Sequence, residues 1–362
     1  MRLFTLLALA LVSIPQARAS TEYTFIKADP EKKIVYTNPV WSPVGNSIAY
    51  VAARNSTKVG ANTIWNCPKD LWLATFSNGH WKHRLLVKGG NGSAWSRDGK
   101  RLAITRKGLA VLDLRTGKVR QLTKDYIPGV TGSDEGRIRL DFPISFSPNG
   151  RYVVYDRQLY ESGEYRVFDL ERGRDTGVLL GECPTWSADS KYVFSAFNWH
   201  GDWPVQTRLV RTDIESRKSQ TVLPHYRIDW LALPGENYAW ALVADLEPRR
   251  YPEQTKYPKD ELNPPEGPGI YRLDLTSLEL KKLSDIKEPI ILNRDLGRFA
   301  FITESRPADL YIGETRHWQF RIVAKDVAEP WLMRTIFASW SSDGKSLAYV
   351  TPKGDIRIVK FP

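Results

Sequence analysis

Between residues 94 and 123 the chain alternates short apolar runs with polar turns. Ala94-Trp95 precedes the polar stretch Ser96-Arg97-Asp98-Gly99, and the apolar run Arg101–Thr105 follows it. Two further runs, Leu109–Leu114 and Val119–Thr123, flank the turn Arg115-Thr116-Gly117-Lys118. Apolar runs of this length bounded by turn residues read as β-strands. Asp98-Gly99 suits a tight hairpin, because glycine takes positive φ without a Cβ clash and aspartate tolerates it. The pattern predicts a four-stranded antiparallel meander in about 32 residues. A lone meander cannot bury both of its faces, so it requires copies of itself.

The copies are present. Trp41-Ser42-Pro43-Val44-Gly45, Phe146-Ser147-Pro148-Asn149-Gly150, Trp186-Ser187-Ala188-Asp189-Ser190 and Trp340-Ser341-Ser342-Asp343-Gly344 echo the first turn, each before an apolar strand. Weaker echoes stand at Trp230-Leu231-Ala232-Leu233-Pro234-Gly235 and at Asn293-Arg294-Asp295-Leu296-Gly297. The spacing, roughly 40 to 62 residues, is that of β-propeller blades. The third strand repeats too, as Leu109–Leu114, Tyr165–Leu170 and Ile270–Leu275, each ending in Asp-Leu before a polar turn.

Trp-Ser-Pro-Asp-Gly-like turns followed by an apolar strand resemble the repeats of TolB-type β-propellers, relatives of WD40 blades. The resemblance runs from about Asn38 to the end of the chain. It departs from the TolB pattern in leaving no room for an α/β domain before the propeller. The expected fold is all-β: a seven-bladed propeller, with six blades as the alternative if the degenerate stretches 228–283 and 287–325 pair differently. The last blade lacks a strand, while Tyr23–Ala28 and Lys33–Tyr36 precede the first motif. Pairing an N-terminal strand into the last blade would close the ring and remove exposed sheet edges.

Residues 1–19 read differently. Arg2, the apolar core Leu3–Ile14 and the small-x-small site Ala17-Arg18-Ala19 have the form of a secretory signal peptide cut after Ala19. Residues 20–362 are then a single exported propeller domain, periplasmic or extracellular. No later segment is long and apolar enough to be a transmembrane helix. Losing Arg2 and Arg18 lowers the formal net charge from +11 to +9. A basic exported protein meets acidic proteins or anionic glycans rather than nucleic acid.

Four long segments break the blade rhythm: 54–69, 124–141, 198–206 and 245–268. In a meander the connections after the second and fourth strands leave from the same end, so all four are expected on one face, where binding residues concentrate. They carry Trp65, Trp199, His200, Asp202 and Trp203, then Arg249, Arg250 and Tyr251, with Asp141 at the end of the linker. Trp, Tyr and Arg are the residue types in which interface binding energy concentrates. Cys67 and Cys183 are the only cysteines, both map to this face, and they form a candidate disulfide if the first loop lies across the mouth.

Catalytic signatures are sparse. No Gly-x-Ser-x-Gly nucleophile elbow is present. Asp343-Gly344-Lys345-Ser346 mimics the end of a P-loop but lacks the upstream glycine, so it is a blade turn. His80 and His83 are three apart at a strand start and are expected to point to different faces; no metal or cofactor is implied. The carboxylates Asp141, Asp202 and Asp245 leave room for acid–base chemistry on a glycan. The leading expectation is an exported binding or scaffold protein. The resemblance implies that it docks a peptide or an envelope protein on the loop-rich mouth of the channel. The alternative is an envelope carbohydrate-active enzyme, a glycosidase or lyase, on the same propeller.

Overall fold

The computed structural model describes residues 20–60, 67–124, 140–158, 163–198, 207–245, 262–303, 305–328 and 338–361. These residues form seven four-stranded antiparallel sheets, each a meander, arranged as the blades of a β-propeller. The chain starts with β1 (Thr21–Ile26), which belongs to the last blade. Blade one is β2 (Ile34–Trp41), β3 (Ser47–Arg54), β4 (Lys69–Ser77) and β5 (His80–Lys88). Blade two is β6 (Asn91–Trp95), β7 (Arg101–Thr105), β8 (Leu109–Asp113) and β9 (Val119–Gln121). Blade three is β10 (Leu140–Phe146), β11 (Tyr152–Gln158), β12 (Gly163–Asp169) and β13 (Arg174–Leu180). Blade four is β14 (Glu182–Trp186), β15 (Tyr192–Asn198), β16 (Thr207–Asp213) and β17 (Ser219–Pro224). Blade five is β18 (Arg227–Ala232), β19 (Tyr238–Ala244), β20 (Gly269–Asp274) and β21 (Leu280–Ser284). Blade six is β22 (Ile291–Leu292), β23 (Arg298–Ile302), β24 (Ala308–Glu314) and β25 (Gln319–Val327). Blade seven is β26 (Ala338–Trp340), β27 (Ser346–Val350) and β28 (Ile356–Lys360), completed by β1.

The six-blade alternative is thereby excluded, since the two degenerate stretches each make a sheet of their own. β1 runs antiparallel to β28, with Thr21 opposite Lys360 and Ile26 opposite Ile356. Its Phe25 is buried against Tyr50 and Trp81 of blade one, at 5.9 and 4.8 Å between ring centroids. One expectation is corrected: the strand-like segment Lys33–Tyr36 does not precede the first blade but, from Ile34 on, begins β2, where it pairs directly with Ala52–Arg54 of β3.

The repeated turn has a hydrogen-bond logic. Ser96 Oγ donates to Asp98 Oδ1 at 2.6 Å and accepts from the Arg101 amide at 2.9 Å, while Lys100 N donates to Asp98 Oδ1 at 3.1 Å. The same pattern recurs at Ser147-Asn149, Ser187-Asp189 and Ser341-Asp343. A short side chain that bonds its own backbone two residues on is what fixes such a turn. The fifth position has positive φ, +69° at Gly99 and +65° at Gly344. In blade six the motif is shifted by one residue from the sequence alignment. Asn293 takes the serine's place, its Oδ1 accepting from Arg298 N at 2.8 Å, and Leu296 holds the positive-φ position at +60°.

The aspartate that ends the third strand of blades two to five has the matching role. Asp113, Asp169, Asp213 and Asp274 each accept backbone amides of the following turn. Two of the motif tryptophans tie adjacent blades. Trp95 Nε1 donates to Val40 O of the preceding blade at 3.0 Å, and Trp340 Nε1 to Ile291 O at 2.9 Å. Apolar clusters between adjacent sheets form the core.

Candidate functional site

Each blade's first strand runs from one face, the mouth, to the other, where the Ser-x-Asp turns lie. Connections after second and fourth strands therefore return to the mouth face. The strand ends at Arg54 and Lys69, Asn198 and Thr207, and Ala244 and Gly269, and those at Gln121 and Leu140 between blades, all lie there. Trp65, Trp199, His200, Asp202, Trp203, Arg249, Arg250 and Tyr251 lie outside the described residues. Asp245, also a carboxylate candidate, is exposed at the end of its strand.

Asp141 is described, and its carboxylate is internal. It is fully buried, accepts from Arg157 Nε at 3.2 Å, and accepts from the Thr123 hydroxyl at the end of blade two. Its carbonyl accepts from Thr105 Oγ1 at 2.8 Å. Arg157 continues the network to the Tyr155 hydroxyl at 2.8 Å, and that hydroxyl donates to Asp175. Arg166 grips Asp175 with Nε at 2.9 Å and Nη2 at 3.3 Å, and reaches Glu164 at 2.9 Å. Burial opposes the charge on Asp175, but hydrogen bonds from Arg166, Tyr155 and the Gly177 amide outweigh it and hold the carboxyl below its ordinary range. Burial, with the Asp175 carboxylate beside it, raises the Tyr155 phenol. The network crosses all four strands of blade three. Sequence reasoning singled out only Asp141; the Tyr155/Arg157 alternation on one strand face was its visible trace.

Cys67 and Cys183 are free thiols, and no disulfide joins them. Cys67 is buried near Val35 and Ala53 of blade one. Cys183 is on the innermost strand of blade four, where its Sγ donates to Asp229 O of blade five at 3.0 Å. Its role there is to bridge two blades, as Thr185 Oγ1 does to Leu231 O at 3.1 Å. Burial first, then the charges of Glu182 and Asp229, push the Cys183 thiol up to about 12. Unfolded without reductant, the chain should therefore titrate two thiols. In the native protein at pH 8, Cys183 should alkylate at least about a hundredfold more slowly than an ordinary exposed cysteine, because the thiolate is the nucleophile. One or no thiol in the unfolded sample would overturn the assignment.

The histidines near the first blade diverge as expected. His80 Nδ1 lies 3.1 Å from Asn78 O, and His83 Nδ1 lies 3.0 Å from the Tyr50 hydroxyl. Among the described residues no group of three potential metal ligands comes together, and no helix is long and apolar enough to cross a membrane.

No family model and no curated protein matches the chain. Solved structures do. An oligogalacturonate lyase in complex with manganese superposes with a TM-score of 0.61 at 14% identity, over 95% of this chain and 96% of that one. The β-propeller domain of the Trilobed protease from Pyrococcus furiosus superposes with a TM-score of 0.52 at 10% identity, over 93% and 94%. That domain is described as having an open velcro topology, whereas here β1 closes the ring. TolB from Acinetobacter baumannii aligns at 15% identity over 82% of this chain and 64% of that one, with a TM-score of 0.43, too low to carry an argument. Identities this low establish the shared propeller fold and nothing finer.

Proposed function

We propose that the protein is an exported binding or scaffold protein whose partner, a peptide or an envelope protein, docks on the mouth face. One observation carries this reading: the connections longer than a tight turn are gathered on that face, while the opposite face carries short turns such as the Ser-x-Asp turns. A rigid scaffold with variable loops at one end is the usual construction of a recognition surface. The aromatic and arginine content of those loops adds anchors, and the net positive charge of the chain favours an acidic partner.

The test is affinity capture from an envelope extract with the protein as bait. Replacing Trp199 and Trp203 together by alanine should leave the fold intact and weaken capture at least about tenfold, since two anchors at ~2 kcal/mol each allow more. Replacing Arg249 and Arg250 should chiefly slow association and flatten its salt dependence. Undiminished capture by the tryptophan variant would remove this face from consideration. Turnover of acidic oligosaccharides by the protein would instead favour the alternative, a carbohydrate-active enzyme on the same propeller.

A further inference from the structure

The seam where the ring closes holds a cavity on the face opposite the mouth. Its volume is about 310 Å³, within the range of small-molecule sites. Blade seven supplies Tyr23 of β1, Lys360 and Phe361 at the end of β28, and Lys345 beside the turn; blade one supplies Trp41, Asn46, Phe76 and Trp81. Five of the eleven lining residues are aromatic, and four of these lie on the side of β1 and blade one. Phe76 and Trp81 stand 5.2 Å apart at 57°, and Trp41 and Trp81 stand 5.8 Å apart at 61°. Phe76 remains 37% exposed, an apolar surface that a bound ring would cover.

The polar groups around this wall are unspent. Lys345 and Lys360 are exposed and in no ion pair among the described residues; Lys360 Nζ instead lies 5.3 Å from the centre of the Tyr23 ring. The Asn46 amide and the Ser346 hydroxyl make no hydrogen bond within the described chain. Among the described lining residues the one carboxylate, Asp343, is engaged by the turn, accepting from Ser341 Oγ at 2.6 Å and Lys345 N at 3.0 Å. Trp41, like Trp186, lacks the bond that its counterparts in blades two and seven make. Trp95 and Trp340 are fixed by a hydrogen bond to the preceding blade, but the buried Nε1 of Trp41 has no partner. Packing, including the edge contact with Trp81, holds that ring.

We infer that this seam cavity binds a small ring-bearing carboxylate, its ring laid on Trp81 and Phe76 and its carboxylate between Lys345 and Lys360. Two ammonium groups against one committed carboxylate give the cavity a local positive charge, and charge-assisted hydrogen bonds to an anion are the strong kind. A sugar acid and an aromatic acid share this chemistry. The ligand touches both β1 and blade one, so it also clamps the closure of the ring and stabilises the folded chain by mass action. This inference is independent of the partner proposed for the mouth.

Binding is read by ligand-observed NMR and by thermal unfolding of the full chain. The probes are glucuronate and N-acetylphenylalanine, with glucose and N-acetylphenylalaninamide as neutral counterparts. At least one acid should bind at concentrations up to ~10 mM, raising the unfolding midpoint, and its neutral counterpart should not. Which acid binds tells the sugar source from the aromatic one. The double variant Lys345→Gln/Lys360→Gln, altered only at exposed positions, should bind at least about tenfold more weakly. Phe76→Ala should weaken binding too, whereas Trp199→Ala/Trp203→Ala should not. No binding by either acid, or equal binding by the lysine variant, overturns the inference.

Discussion

A chain that begins at Ala28 should melt at least about 10 °C below one that begins at Ser20. The truncation removes β1, the outer strand of blade seven. Phe25 alone is 8% exposed and packs on Tyr50, Trp81 and His83 of blade one, and deleting a buried phenylalanine side chain costs about 3–5 kcal/mol. The strand's ladder to β28 goes with it, as do the ion pair from Arg357 Nη1 to Glu22 at 2.8 Å and the packing of Tyr23. For a chain this long each kcal/mol lowers the midpoint by roughly 2 °C, so ~5 kcal/mol reaches the stated shift. The exposed edge of β28 should also make the truncated chain aggregate during the scan. The measurement is differential scanning calorimetry of both chains. Equal midpoints would show that the ring does not depend on β1 for closure.

The fold was legible because its repeated element is local. In blades two, three, four and seven a serine, an acceptor two residues on and a positive-φ residue after it encode the turn within five positions, and the apolar strand that follows needs only its own sequence. Blade six was the hardest to align, since Asn293 and Leu296 perform these tasks without the usual serine and glycine. The strand at Ile34–Tyr36 was misjudged because its partner, Ala52–Arg54, is set by a register that no local pattern declares. The site was less legible for the same reason. Nothing near Asp141 in the sequence announces Arg157 and Thr123, and nothing near Tyr23 announces Phe361, Phe76 and Trp81. Such groups are neighbours only after the blades have packed. The two cysteines illustrate the limit: composition made a bond between them reasonable, yet Cys183 is engaged by Asp229 O on the channel wall.

Asp141→Ala should lower stability by about 3–5 kcal/mol, the usual consequence of removing one partner of a buried ion pair. The carboxylate is fully buried, and Arg157 beside it has only 15% of its side chain exposed. The substitution leaves the Arg157 charge without its carboxylate partner and the Thr123 hydroxyl without its acceptor. Thr123 in turn accepts from Leu109 N at 2.8 Å, so the end of blade two loses its tie to the start of blade three. Asp141→Asn should cost less, because the amide oxygen still accepts from Thr123. A double-mutant cycle between Asp141→Ala and Arg157→Ala should show a coupling of more than ~1 kcal/mol. Urea denaturation measures each of these. The same variants separate two roles for Asp141. With its carboxylate spent inside the wall, folded Asp141→Asn protein should capture a mouth-face partner as well as the unaltered chain does. If that variant keeps full stability and loses the partner, Asp141 is a contact residue after all.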